Sequence, residues 1–138
     1  MLELNQIKTK GGKNMSTKLL RKSIPMEVIF PEPVFILRNV GISFDYEDGV
    51  RTDRKLGTWY DVVDTTDFDQ IRVKVPGKLT PIIDEVELRE RREAGEKFFV
   101  EFTAGKDVPY LKKTGSSFSV EDSFSAENVS FVENASLM

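Results

Sequence analysis

Val34-Phe-Ile-Leu-Arg-Asn-Val-Gly41-Ile-Ser-Phe-Asp-Tyr46 reads as one long strand with a glycine in its interior. After Gly41, the side chains of Ile42, Phe44 and Tyr46 alternate with Ser43 and Asp45, the period of a strand with one apolar face. A glycine inside a strand marks a bulge or a sharp coil. Upstream, Met26 to Phe30 is a short apolar run in the strand-forming part of the chain, closed by Pro31-Glu-Pro33. Downstream, Glu47-Asp48-Gly49 is a turn, and residues 50–56 form a polar loop carrying Arg51, Arg54 and Lys55. Thr58 to Thr65 is a second strand, with Tyr60 and Val62 on one face and Trp59 and Asp61 on the other. Ile71 to Val75 is a third, with Ile71, Val73 and Val75 opposed to Arg72 and Lys74. A single helix follows, capped by Thr80, with Pro81 in its first turn and Gly95 as its stop. Ile82, Ile83 and Val86 give it an apolar face, and Glu85–Arg89 and Glu87–Arg91 are i,i+4 pairs in the favourable order. Lys97 to Thr103 and a broken alternation from Phe118 to Val132 supply the last strands, separated by a loop containing Lys106, Tyr110, Lys112 and Lys113.

Three strands, one helix and two strands, with a glycine inside the first long strand, is the order of an OB-fold. A small β-sandwich or an SH3-like barrel does not naturally place one helix between the third and fourth strands. The sequence therefore predicts a mainly β chain: a five-stranded OB-fold barrel over residues 26–138, preceded by a flexible arm over residues 1–25.

That arm is basic and the rest is acidic. Lys8, Lys10, Lys13, Lys18, Arg21 and Lys22 stand against Glu3, a net +5 within a chain of net −3, so the remainder carries −8. Such an arm reaches for a polyanion or for the acidic surface of a neighbouring copy, or else is a solvated tail. The chain has no cysteine and no histidine. Disulfides, thiolate chemistry, the commonest general base and the commonest zinc ligands are thereby excluded. Carboxylates at Asp45, Glu47 and Asp48 and at Asp61, Asp64, Asp67 and Asp69 suggest a Mg²⁺ nuclease as a minor alternative. However, Asp45 to Gly49 does not fit a calcium loop, and Asp64-Thr-Thr-Asp67 reads more simply as a turn. Gly77-Lys78 lacks the upstream glycine of a phosphate-binding loop. No metal or cofactor is expected, and the chain reads as a non-enzyme. No apolar run has membrane-spanning length, and Leu2, Leu4 and Ile7 are too interrupted for a signal peptide, so a cytoplasmic setting is expected.

Two segments carry a resemblance. Phe124-Ser-Ala-Glu-Asn-Val129-Ser-Phe131-Val132 resembles the last strand of bacterial single-stranded-DNA-binding proteins. Asp69-Gln-Ile-Arg-Val-Lys-Val-Pro-Gly77, followed by a polar helix and Gly95-Glu-Lys-Phe-Phe-Val100, is similar to small OB-fold proteins of Gram-positive conjugative plasmids and transposons, the PrgE-like and helicase-processivity-factor groups. The resemblance covers about residues 30–133. It implies sequence-nonspecific binding of single-stranded DNA during plasmid transfer. The chain departs from it in its acidic body and in the ending Asn134-Ala-Ser-Leu-Met138, which lacks the acidic C-terminal peptide.

An OB-fold binds single strands across its second and third strands, flanked by the loops after strands one and four. That places Trp59, Arg72 and Lys74 at the binding face. Arg54 and Lys55 flank it in the first loop, and Lys106, Tyr110, Lys112 and Lys113 in the later one. Rings stack bases at roughly 1–3 kcal/mol each and cations neutralise phosphates. Trp59 either stacks or packs, Tyr60 belongs to the core, and the ten Phe residues mostly fill the barrel. Arg89, Arg91 and Arg92 lie among acids on a solvated helix surface. The Debye length is about 8 Å at physiological salt, so a local cluster of cations can bind DNA despite the acidic body. Homo-oligomers strung along the strand by the basic arm are one expectation. A β-barrel adaptor whose arm docks on an acidic partner protein is the alternative.

Overall fold

A computed structural model describes residues 19–133. Lys8, Lys10, Lys13 and Lys18 of the predicted arm lie outside the described residues. The described residues form ten strands and two short helices: β1 Ile24–Pro25, α1 Met26–Ile29, β2 Phe35–Glu47, β3 Val50–Asp64, β4 Gln70–Pro76, α2 Glu85–Glu93, β5 Phe99–Thr103, β6 Lys106–Asp107, β7 Tyr110–Thr114, β8 Ser117–Glu121, β9 Phe124–Ser125 and β10 Asn128–Phe131. The chain is mainly β, as expected, but with ten strands where five were predicted. No helix among the described residues is long and apolar enough to cross a membrane.

Eight strands form one curled sheet in the order β1-β6-β9-β4-β3-β2-β5-β10, and β7 and β8 form a separate hairpin. All pairings are antiparallel except β4 with β9. The segment 124–131 touches both flanks of the sheet. β9 pairs with β4, β10 pairs with β5, and between them the Ala126 amide donates to the Lys74 carbonyl (2.8 Å) and the Glu127 amide to Thr103 (2.9 Å). The hydrogen-bonded circuit β2-β3-β4-β9/β10-β5 thus returns to β2 at Phe35 and Ile36.

The concave side is the core. Phe35, Leu37, Val40, Tyr60, Val62, Val73, Val75, Val100, Phe124 and Val129 are buried there, each worth roughly 1.5–3 kcal/mol. In β2 the buried positions change parity between Leu37 and Val40. A register shift leaves Arg38 as an extra residue between Leu37 and Asn39, which turns Val40 inward. The Arg38 carbonyl is not left bare, for the Arg92 guanidinium donates to it at 2.7 Å. The bulge expected at Gly41 falls instead on either side of it, at Arg38 and again near Phe44, while Gly41 itself pairs regularly with Trp59.

Other local expectations are corrected for identifiable reasons. Asp48 and Gly49 both have positive φ (52° and 79°), the two-residue hairpin turn whose twist matches the flanking strands. Residues 50–56 are therefore the start of β3 and not a loop. Met26 to Ile29 is a helical turn and not extended, since Met26 and Phe30, four apart, are both buried on one side. Helix α2 is capped by Asp84 and not by Thr80: its carboxylate accepts from Val86 (3.0 Å) and Glu87 (3.2 Å). Ile82 and Ile83 precede the helix, and Leu88 is its buried residue. Of the two predicted ion pairs, Glu87–Arg91 forms, at 3.1 Å. The loop after β5 contains strands, since Tyr110 to Glu121 is a hairpin. The chain enters the sheet before residue 26, through Ile24 and Pro25 against β6.

Tyr60 ties the helix approach to the sheet: its buried hydroxyl accepts from the Ile82 amide at 3.2 Å. Tyr60→Phe is expected to lower stability by about 1 kcal/mol. The change should appear in urea unfolding as a lower midpoint at unchanged slope. An unaltered midpoint would show that water replaces the phenol there.

Candidate functional site

The outward face of β2, β3 and β4 is built by alternation. Tyr60, Val62, Val73 and Val75 point into the core, so Trp59, Arg72 and Lys74 point out. Register sets their neighbours. Gly41 lies opposite Trp59, Trp59 opposite Lys74, Lys74 opposite Ser125, and Ser125 opposite Lys106. Residues directly opposite one another share a face, so this row crosses five adjacent strands on one surface. At about 4.8 Å per strand, Trp59 and Lys106 are about 14 Å apart. Lys74 and Lys106 are exposed.

Trp59 is half-buried, and its surroundings are specific. The indole lies across Gly41, in the space a Cβ would occupy. The Arg72 guanidinium sits over the ring, 3.8 Å from its centroid. Arg72 is itself clamped by Asp61, with Nε donating to Oδ1 at 2.7 Å and Nη2 to Oδ2 at 3.1 Å. Hydrogen bonding to Asp61 raises the Arg72 pKa above its ordinary value, opposed by burial and aided by that carboxylate's charge.

A groove of about 540 Å³ runs from Trp59, Arg72 and Lys74 onto the β2–β3 ribbon, where Phe44, Tyr46, Arg51 and Leu56 line it. Phe44 carries the Arg51 guanidinium over its ring at 3.8 Å. Alternation groups Phe44 and Tyr46 with Ile42 on the apolar face of their strand. β4 ends at Pro76 opposite Gly57, so the ribbon beyond has no third strand and no core beneath it. Register shifts between Ser43 and Tyr46 turn its side chains further. The Asp48-Gly49 turn is the available signal: a two-residue hairpin makes 50–56 a strand and leaves Phe44 and Tyr46 on a free-standing ribbon.

The other predicted residues do not line this groove. Arg54 pairs with Asp45 at 3.2 Å, and Lys55 lies opposite Phe44. Lys106 joins the row just described. Tyr110, Lys112 and Lys113 are exposed on the β7–β8 hairpin, which forms no part of the main sheet. Alternation puts Tyr110 and Lys112 on one hairpin face and Lys113 on the other, where it lies 5.8 Å over Phe118. Of the arm residues, Arg21 is hydrogen-bonded through its amide to the Pro109 carbonyl (2.7 Å) and Lys22 through its amide to Leu19 (3.1 Å).

Against known protein families, curated proteins and solved structures, this chain has no match.

Two other features are less suited to a ligand. A groove of about 550 Å³ lies beside Arg91, Phe98 and Phe131, but Glu87 and Glu96 both hold Arg91. The Asp64, Asp67 and Asp69 carboxylates lie within 4.8 Å of one another. Asp64, though, is buried and spent on the turn, accepting from the Thr66 amide at 3.0 Å and the Asp67 amide at 2.9 Å.

Proposed function

We propose that this chain is a non-enzymatic, sequence-nonspecific single-stranded-DNA-binding protein with an OB-fold, serving DNA processing in a conjugative plasmid or other mobile element of the bacterial cytoplasm. The row Trp59, Lys74, Ser125 and Lys106, with the Arg72–Trp59 and Arg51–Phe44 stacks and Tyr46 along the same groove, carries this reading: flat π-surfaces for bases and cations for phosphates on one surface. The strand circuit supports the OB assignment. β2, β3, β4, β5 and β9/β10 correspond to the five barrel strands, α2 enters between the third and fourth, and β6 to β8 become an insertion between the fourth and fifth. Lys112 and Lys113 on that insertion, and the basic arm, supply further cations for phosphate or for an adjacent copy.

The test is titration of labelled oligo-dT and a duplex of equal length at two salt concentrations. Oligo-dT should bind better, with a marked salt dependence. Equal or absent binding to both would end this reading. Lys74→Ala combined with Lys106→Ala should weaken oligo-dT and oligo-dC alike. It should also flatten the salt slope by about 1.4, since each phosphate left without its lysine accounts for roughly 0.7. A slope equal to the parent's would remove these two lysines from the interface.

The adaptor reading draws on a different observation. Leu111, Phe118 and Val120 are exposed along one face of the β7–β8 hairpin, a surface suited to binding another protein. Retention of a partner protein by a chain that fails the oligonucleotide titration would favour it.

A further inference from the structure

We infer that the surface this groove offers to an unpaired base is the guanidinium plane of Arg72, with Trp59 serving as its backing. The inference rests on the single-strand reading above. Both broad sides of the indole are already occupied. Gly41 lies against one, closely enough that no side chain fits between, and the Arg72 guanidinium covers the other at 3.8 Å. That separation is van der Waals contact, so no base enters between ring and guanidinium. The outer side of Arg72 is open, with about half of its side chain exposed (51%).

Direct stacking on Trp59 would require Arg72 to swing aside. That movement breaks two charge-assisted hydrogen bonds and the cation–π stack, and leaves Asp61, whose side chain is only 12% exposed, without its cation. One base stack has to offset all of these, whereas stacking on Arg72 breaks none of them. A guanidinium is planar and delocalised, and stacks on π-surfaces of any identity. The N–H groups not engaged by Asp61 remain available to a phosphate or a base oxygen. The arrangement recurs at Arg51 over Phe44, also at 3.8 Å, in the same groove. On this assignment Arg72 touches the base, and Asp61 and Trp59 are positioning residues that hold its plane.

The discriminating experiment compares oligo-dT with an abasic oligomer of equal length, which keeps the phosphates and lacks the bases. The full chain, Arg72→Lys and Asp61→Asn are titrated with both, after each variant is shown to unfold cooperatively. Arg72→Lys keeps the charge and loses the plane. It should weaken oligo-dT about tenfold and leave the abasic oligomer unchanged. Asp61→Asn frees the guanidinium and should lower the preference for oligo-dT in the same direction. Emission from Trp59, the only tryptophan, should change little when the parent binds oligo-dT. Strong quenching, together with an undiminished preference for oligo-dT in Arg72→Lys, would overturn the assignment and place the base on the indole. An equal loss for both oligomers would reduce Arg72 to a phosphate ligand, also overturning it. Failure of the parent chain to bind either oligomer would be a different result, since it removes the single-strand reading itself.

Discussion

Asp107→Asn is expected to stabilise the protein at pH 8 by about 2–3 kcal/mol and to leave it almost unchanged at pH 4. Asp107 is buried at 3% exposure, and its carboxylate accepts from the Ser123 amide at 2.9 Å. Burial pushes its pKa up to about 7, the neighbouring Asp122 carboxyl adds to the rise through a hydrogen bond and its charge, and the Ser123 amide opposes it. In the unfolded chain the group titrates near 3.9. Between about pH 4 and 7 the native state therefore holds a proton that the unfolded state has released. Stability is greatest below that window, falls as pH rises through it, and is level above 7. The whole displacement from 3.8 to about 7 would carry roughly 4 kcal/mol. The smaller figure allows for exposed Asp122, which keeps water near the pair. Asparagine has the shape of the neutral acid: its oxygen can accept from Ser123 and its amide can donate to Asp122, with no proton to lose. Denaturant midpoints at pH 4.5, 6 and 8 are the measurement. If the parent and Asp107→Asn curves run parallel, the carboxyl does not titrate in this window.

Gly41→Val should cost about 1–3 kcal/mol even though valine favours strands, because its side chain would occupy the volume of the Trp59 indole. The backbone is not the obstacle, since Gly41 pairs regularly with Trp59. The displaced indole should expose more surface, seen as a red shift of its emission, and should carry Arg72 out of its stack. Single-strand affinity should fall with it. A double-mutant cycle isolates the cause: in a Trp59→Ala background the space is empty, and Gly41→Val should become nearly neutral. An equal cost in both backgrounds would mean that Gly41 is required for some reason other than Trp59.

Much of this architecture is legible from single strands. Ile71, Val73 and Val75 against Arg72 and Lys74 define β4 and its faces without any partner, because a strand's two-residue period is local. The same rule places Trp59 outward and Tyr60 inward. The interior glycine is visible too, but its cause is not, since the ring that fills its Cβ space belongs to another strand. Alternation groups Phe44 and Tyr46 with Ile42 but does not show what that face covers, because register shifts and the end of β4 are properties of strand pairs. Thr80 and Asp84 both carry an oxygen suited to capping the helix, and only the path of Ile82 and Ile83 decides where the helix begins.

Residue order is enough for the mainly β class, for the outward cations and ring of β3 and β4, and for the contrast between a basic beginning and an acidic remainder. It is not enough to show that Lys106 joins Lys74 through Ser125, that Arg72 covers Trp59, or that Asp107 is buried beside Asp122; these exist only in the folded chain. The difference is one of range. Side-chain alternation follows from the geometry of one strand, whereas adjacency across β4, β9 and β6 depends on which distant segments the closing sheet brings together.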